Sequence, residues 1–109
     1  GNYQLAITGF QTFMTSFTSS ELVPSAQYWI GNAHYAMRDY KSAIAAQQRV
    51  VKTWPENPKA PDALLNIASS QSELGQSNAA RETLRGLVKK YPSSSAAEQA
   101  KQRLATKGK

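Results

Sequence analysis

Apolar residues recur along this chain at three- and four-residue spacing, and each run stops at serine, glycine or proline. Ala6, Phe10, Phe13, Met14 and Phe17 form one stripe and predict a helix over 3–17, broken by Thr18-Ser19-Ser20. Ala26, Ile30, Ala33 and Met37 predict a second helix over 24–37, with Pro24 in the first turn, where its missing N–H costs nothing. Tyr40, Ala43, Ile44, Val50, Val51 and Trp54 give the inward positions of a third helix over 40–54, which Pro55 ends. Pro61 restarts a helix through Leu74 with Ala63, Leu64, Ile67 and Ala68 apolar, and Gly75 is suited to the left-handed conformation that closes it. Ser77 or Asn78 opens a fifth helix that reaches Tyr91 before Pro92, with Ala80, Leu84, Leu87 and Val88 inward. Ser93-Ser94-Ser95 is a loop and cap, and a last helix runs from Ala96 to about Ala105, with a fraying tail after it. No segment alternates with a period of two for long enough to make a strand, so the expected class is all-α.

These elements repeat. Pro55 and Pro92 stand 37 residues apart, and so do Ala43 and Ala80, Tyr3 and Tyr40, Ala6 and Ala43, and Ile7 and Ile44. A period between about 20 and 50 residues marks a repeat architecture, in which each unit gains stability from its neighbours. The short turn at Arg38-Asp39 forces antiparallel neighbours, giving five helices in pairs plus a terminal one. Gly31, inside a helix, costs about 1 kcal/mol against alanine and so implies a close approach by a neighbouring helix.

The net charge of +6 is unevenly spread: residues 1–80 carry five bases and five acids, and residues 81–109 carry eight bases and two acids. This reads first as a solvated C-terminal face, and second as a surface for an acidic or anionic partner. The basic tail after Tyr91 has no aromatic residues interleaved to stack on bases, so nucleic acid is not expected as a partner. No apolar run approaches the ~20 residues of a membrane span. There is no cysteine, which rules out a disulfide framework or a thiolate metal site.

Catalytic groupings are not evident. His34 is the single histidine and lies on a helix stripe, where packing explains it; no second histidine or carboxylate stands at ligand spacing. The acids are scattered singly, the serines read as loop and cap residues, and no glycine-rich phosphate loop occurs. No enzyme activity, cofactor or metal is expected.

Ile30-Gly31, His34, Tyr40, Ala43 and Pro55 in the unit at 24–55, and Ile67-Ala68, Gln71, Ala80, Leu84 and Pro92 in that at 61–92, resemble the tetratricopeptide repeat. That repeat is an antiparallel helix pair with small residues where its helices cross. Gln47 and Gln71 depart from its usual aromatics. The period exceeds the usual ~34 by a few residues that fall in the loops before Pro24 and Pro61. With Ala26-Gln27-Tyr28-Trp29-Ile30-Gly31-Asn32-Ala33, Lys59-Ala60-Pro61-Asp62-Ala63-Leu64-Leu65 and Glu73-Leu74-Gly75-Gln76-Ser77, the chain resembles the C-terminal tetratricopeptide domain of the Tol-Pal-associated cell-division coordinator family (CpoB) of Gram-negative bacteria. The resemblance implies antiparallel pairs stacked as a short right-handed superhelix. It also implies a periplasmic protein with an upstream trimeric coiled coil not present in this chain, binding to TolA, and a role coupling outer-membrane constriction to the peptidoglycan synthase machinery. A BamD-like outer-membrane assembly component is the alternative within the repeat class.

On this register residues 1–109 form one domain: 3–17 is the second helix of a truncated first repeat, 24–55 and 61–92 are the second and third, and 96–106 caps the end. Gly1-Asn2-Tyr3 falls on Arg38-Asp39-Tyr40, the turn inside a repeat. The face of 3–17 should therefore lack a neighbour, leaving Phe10, Phe13 or Phe17 partly exposed or covered by a second copy.

In stacked repeats of this kind the first helix of each pair lines a concave groove. Ser25, Tyr28, Asn32 and Tyr35 share a face there, Asp62, Leu65, Ser69 and Ser72 repeat them at 37 residues, and Trp29 and Asn66 flank the row. Rings beside amides and hydroxyls suit peptide capture. Tyr28 and Tyr35 are expected in the groove, and Trp29 against helix 3–17. Where related domains grip a C-terminal carboxylate with Lys or Arg, this chain has Tyr28, Asp62 and Asn66, so that clamp is not expected.

Overall fold

The computed structural model describes residues 2–106, and these fold into six helices with no strand among them. They are α1 (Tyr3–Ser16), α2 (Val23–Ala36), α3 (Tyr40–Thr53), α4 (Lys59–Glu73), α5 (Ser77–Lys90) and α6 (Ser95–Ala105). The all-α repeat class predicted from periodicity is the observed one. Boundaries differ by one or two residues; α4 begins at Lys59, ahead of Pro61, so that the proline rings of α2 and α4 both sit buried in a first turn. Residues 107–109 of the expected frayed tail lie outside the described residues.

The turns inside the pairs are built alike. Arg38 (φ 64°) and Gly75 (φ 79°) stand 37 residues apart and both take the left-handed conformation. At each turn an N–H three residues beyond the helix returns to it: Asp39 N to His34 O at 2.9 Å and Gln76 N to Gln71 O at 2.8 Å. These bonds satisfy carbonyls that a helix end would leave unpaired.

Each helix packs on the next along the chain, and α2 also packs on α4, and α4 on α6. No backbone approach within 8 Å joins α1 to α3 or α3 to α5. The first helices of the pairs are therefore the closer row, and the stack curves toward them, making their side concave. Tyr91 ties adjacent units from the far end of α5, its hydroxyl donating to Pro55 O at 2.7 Å.

The core is made of small residues at the crossings. Ala43, Ala60, Ala63, Ala96, Ala97 and Ala100 are fully buried, with Val50 and Leu87 between them. Gln47 is also fully buried, where the sequence pattern placed no inward residue. Its Nε2 donates to Tyr28 O at 3.0 Å, and Gln27 Nε2 donates to Ala46 O at 3.0 Å, so two buried amides tie α2 to α3 through backbone carbonyls. The close approach expected at Gly31 is real: a Cβ there would stand 2.8 Å from Gln47 Cγ.

Several expected core positions are corrected. Ala6 is exposed and Ile7 is the buried residue of α1, packing with Phe10, Met14, Ile30, Ala33 and Ala46. The reason is that α1 has neighbours on one side only, chiefly α2 with Ala46 of α3 beside it, so the inward face turns to that side. Met37 is exposed because α2 has ended at Ala36 and the chain is already turning. Tyr40, Ile44, Val51 and Trp54 are half-buried, since the row of second helices is splayed. In α1, Phe10 and Phe13 are half-buried, and Phe17, just past its end, is 57% exposed.

The register explains that exposure. An apolar groove lies along α1 and α2, lined by Ala6, Gly9, Phe10, Phe13, Leu22, Ser25, Ala26 and Trp29. Thirty-seven residues further on, the same positions are Ala43, Ala46, Gln47, Val50, Lys59, Asp62, Ala63 and Asn66. There the place is taken by α2, which bonds Gln47, Ala46 and Asn66 and lays Tyr28 and Trp29 against Lys59.

Candidate functional site: the concave face

The concave row is built from α2, α4 and α6. Helix periodicity puts Ser25, Tyr28, Asn32 and Tyr35 of α2 on one side, all half-buried, and Asp62, Leu65 and Ser69 of α4 beside them. Ser72, at the end of the row, is exposed.

Cross-helix hydrogen bonds join the row. Asn66 Nδ2 donates to Asn32 Oδ1 across α4 and α2. Arg103 Nη1 of α6 donates to Ser69 Oγ of α4 at 2.8 Å, and that hydroxyl donates to Leu65 O. Asn66 Oδ1 is buried and has no partner among the described residues. These bonds fix the rotamers of Asn32, Asn66 and Ser69, so the groove presents pre-set groups and binding costs less side-chain entropy.

At one end of the row, Tyr28 and Trp29 meet edge to face with ring centroids 5.3 Å apart. Lys59 Nζ lies 4.9 Å from the Tyr28 centroid and 5.3 Å from that of Trp29, within cation–π range. Trp29 remains 46% exposed and lines the apolar groove with Phe10 and Phe13, so it borders helix α1 and solvent together.

At the other end, the Tyr35 and Tyr40 rings meet edge to face at 5.3 Å. Burial raises the Tyr35 hydroxyl pKa, the Glu73 carboxylate and Tyr40 raise it further, and Arg103 pulls it down. Glu73 and Arg103 thus act at the same end of the row as Tyr35.

Of the residues predicted for the groove, Asn32, Asn66 and Ser69 are joined by hydrogen bonds, and Tyr28 and Trp29 form the aromatic end. Asp62 and Ser25 make no side-chain hydrogen bond among the described residues. Arg103 and Lys59 were missed. Arg103 stands 37 residues from Asn66, and that spacing is the signal that could have found it; Lys59 lies outside the periodic row and reaches the rings by its length.

His34 sits half-buried near the α2–α3 turn, its Nδ1 3.7 Å from Asp39 Oδ2. Among the described residues no group of three or more His, Cys, Asp or Glu is placed to hold a metal. No described helix is long and apolar enough to cross a membrane.

Charge sorts by helix row rather than by chain half. The second helices α1, α3 and α5 carry seven cations (Lys41, Arg49, Lys52, Arg81, Arg85, Lys89, Lys90) against Glu82 alone. The first helices α2, α4 and α6 carry three (Lys59, Lys101, Arg103) against Asp62, Glu73 and Glu98. The concave row is near neutral overall, and the outer row holds the positive charge.

No curated protein matches the chain. Two family models described as tetratricopeptide repeat match it, one over residues 1–61 and the other over 62–94. Paired antiparallel helices, a concave row of first helices and small residues at the crossings agree with those matches: the chain belongs to the tetratricopeptide repeat family, whose domains are protein–protein interaction scaffolds.

Proposed function

We propose that this domain is a protein-binding scaffold of the Tol-Pal envelope system and that TolA is held in the concave groove. The observation that carries the site is the row of Asn32, Asn66 and Ser69, preset by cross-helix bonds, with the Tyr28 ring at one end and open to a peptide. The partner itself rests on the sequence resemblance to the CpoB family. In this reading the protein works in the periplasm, forms a trimer through an upstream coiled coil, and links outer-membrane constriction to the peptidoglycan synthase machinery during division.

The reading includes the fold's unfilled seat. The groove along α1 and α2 repeats the place where α2 itself lies on α3 and α4, so α1 acts as the second helix of a repeat whose first helix fills that groove in the longer protein. Phe10 stands where Gln47 needs Gly31, so the filling helix carries a small residue opposite it.

Calorimetric titration with purified TolA tests the site. Tyr28→Ala and Asn32→Ala should each weaken binding about tenfold, or roughly 1.4 kcal/mol, with helicity retained. Unchanged affinity in both variants removes the site from the concave face.

One observation favours a second reading: the outer row of seven cations against one carboxylate suits an anionic surface. In that case binding collapses as ionic strength rises, whereas a groove-held peptide resists salt.

A further inference from the structure

We propose a carboxylate-binding pocket at the α4–α5 turn, formed by Arg81, Arg103, Ser72 and Ser77. It receives an Asp or Glu side chain of the polypeptide in the concave groove, and this use of it rests on the groove reading above.

The pocket exists because of a difference between the two repeats. In the earlier repeat, Tyr35 and Tyr40 fill the space at the turn between α2 and α3 with two rings packed edge to face. Thirty-seven residues later those positions are Ser72 and Ser77. Two rings become two hydroxyls, and a partly open pocket of about 190 Å³ remains, with Ala68, Ala80 and Leu84 among its walls. That volume holds a carboxylate and several waters at about 30 Å³ each.

The lining sets the ligand. Arg81 replaces Ile44 of the earlier repeat and Arg103 replaces Asn66, so two cations enter where the equivalent site has none. Both are half-buried, and neither makes an ion pair among the described residues. Arg103 spends one donor on Ser69 Oγ and keeps the rest of its fork. No carboxylate lines the cavity; Glu73, which acts on Tyr35, is exposed and lies outside the lining. Ser77 is the first residue of α5, and Gln76 before it gives no side-chain cap, whereas Asp39 at the equivalent position caps α3. The unbonded N–H groups at that terminus add to the pull of the two guanidinium groups on an anion.

The probes are N-acetyl-glutamate amide, its neutral glutamine counterpart and inorganic phosphate, each titrated into the protein with amide resonances followed by NMR. Saturable shifts at Ser77 and Arg81 are expected with the glutamate derivative and not with the glutamine one. Arg81→Gln should weaken that binding about tenfold, the scale of one lost charge-assisted bond. Ser72→Tyr with Ser77→Tyr rebuilds the ring pair and should abolish the shifts while the fold stays intact. Response to phosphate alone, equal response to both amides, or binding untouched by the ring-filling variant overturns the pocket. Because these probes need no TolA, failure of TolA to bind leaves the result standing. Conversely, TolA binding that Arg81→Gln leaves unchanged, with the glutamate titration intact, removes the pocket from the partner interface while the groove reading holds.

Discussion

Gly31 of α2 and the side chain of Gln47 of α3 occupy one shared space: a Cβ on the glycine would stand 2.8 Å from Gln47 Cγ. The later repeat solves the same crossing with Ala68 and Leu84, both buried. The pair is thus an exchange of volume between helices, a longer and polar side chain on one matched by the loss of a methyl on the other. Gly31→Ala should destabilise the fold by roughly 1–3 kcal/mol through overpacking. Adding Gln47→Leu should recover much of the loss, since Gln47 Oε1 is buried without a partner among the described residues and leucine removes that unsatisfied oxygen. Urea unfolding of the two single variants and the pair checks this; additive losses would refute the coupling.

Arg38 holds a left-handed backbone at φ 64° that glycine adopts without strain, as Gly75 does in the next repeat. Arg38→Gly should raise stability by up to about 1 kcal/mol, and Gly75→Ala should lower it by a similar amount. Thermal melts of both variants give the signs directly.

Tyr91 links the repeats through its hydroxyl on Pro55 O at 2.7 Å. Tyr91→Phe keeps the ring and removes the donor, leaving a part-buried carbonyl short of a partner. The expected cost is about 1 kcal/mol in chemical denaturation. No loss would mean that packing alone joins the units at this end.

Two titrating groups predict pH effects of opposite sign. Burial, then Glu73 and Tyr40, hold the Tyr35 hydroxyl pKa above its ordinary value. The neutral phenol is therefore favoured in the folded state, and its stabilisation is complete below about pH 10 and lost as pH rises through the folded value. Tyr35→Phe should flatten that alkaline loss relative to the parent. The side-chain hydrogen bond from Ser42, and then its backbone N–H, hold the Asp39 carboxyl below its ordinary value. Its contribution is complete above the unfolded carboxyl range near pH 4 and is lost as pH falls through the folded value. Asp39→Asn should reduce the acid loss while retaining a cap. Denaturation midpoints across the two limbs, parent against variant, test both.

The sequence by itself determined the helices, their pairing and the repeat. Those features rest on local chemistry: a 3.6-residue apolar period, prolines that stop or start a turn, and small residues at Ala43 and Ala80 in a constant register. The same register pointed to Tyr28 and Asn32 as one row, with Asn66 flanking it. Tertiary structure decided which flank of a stripe faces a neighbour, because that depends on how many helices surround it. Ile7 rather than Ala6 is buried since α1 has neighbours on one side only, α2 and Ala46 of α3, and Gln47 is buried since Gly31 clears room for an amide that ends on a backbone carbonyl. It also decided where long side chains arrive. Arg103 and Lys59 belong to other turns of sequence, yet their reach brings one to Ser69 and the other to two aromatic rings. The hole at Ser72 and Ser77 is legible only when the folded repeats are laid one upon the other, since a missing ring has meaning only against the ring pair that fills its counterpart.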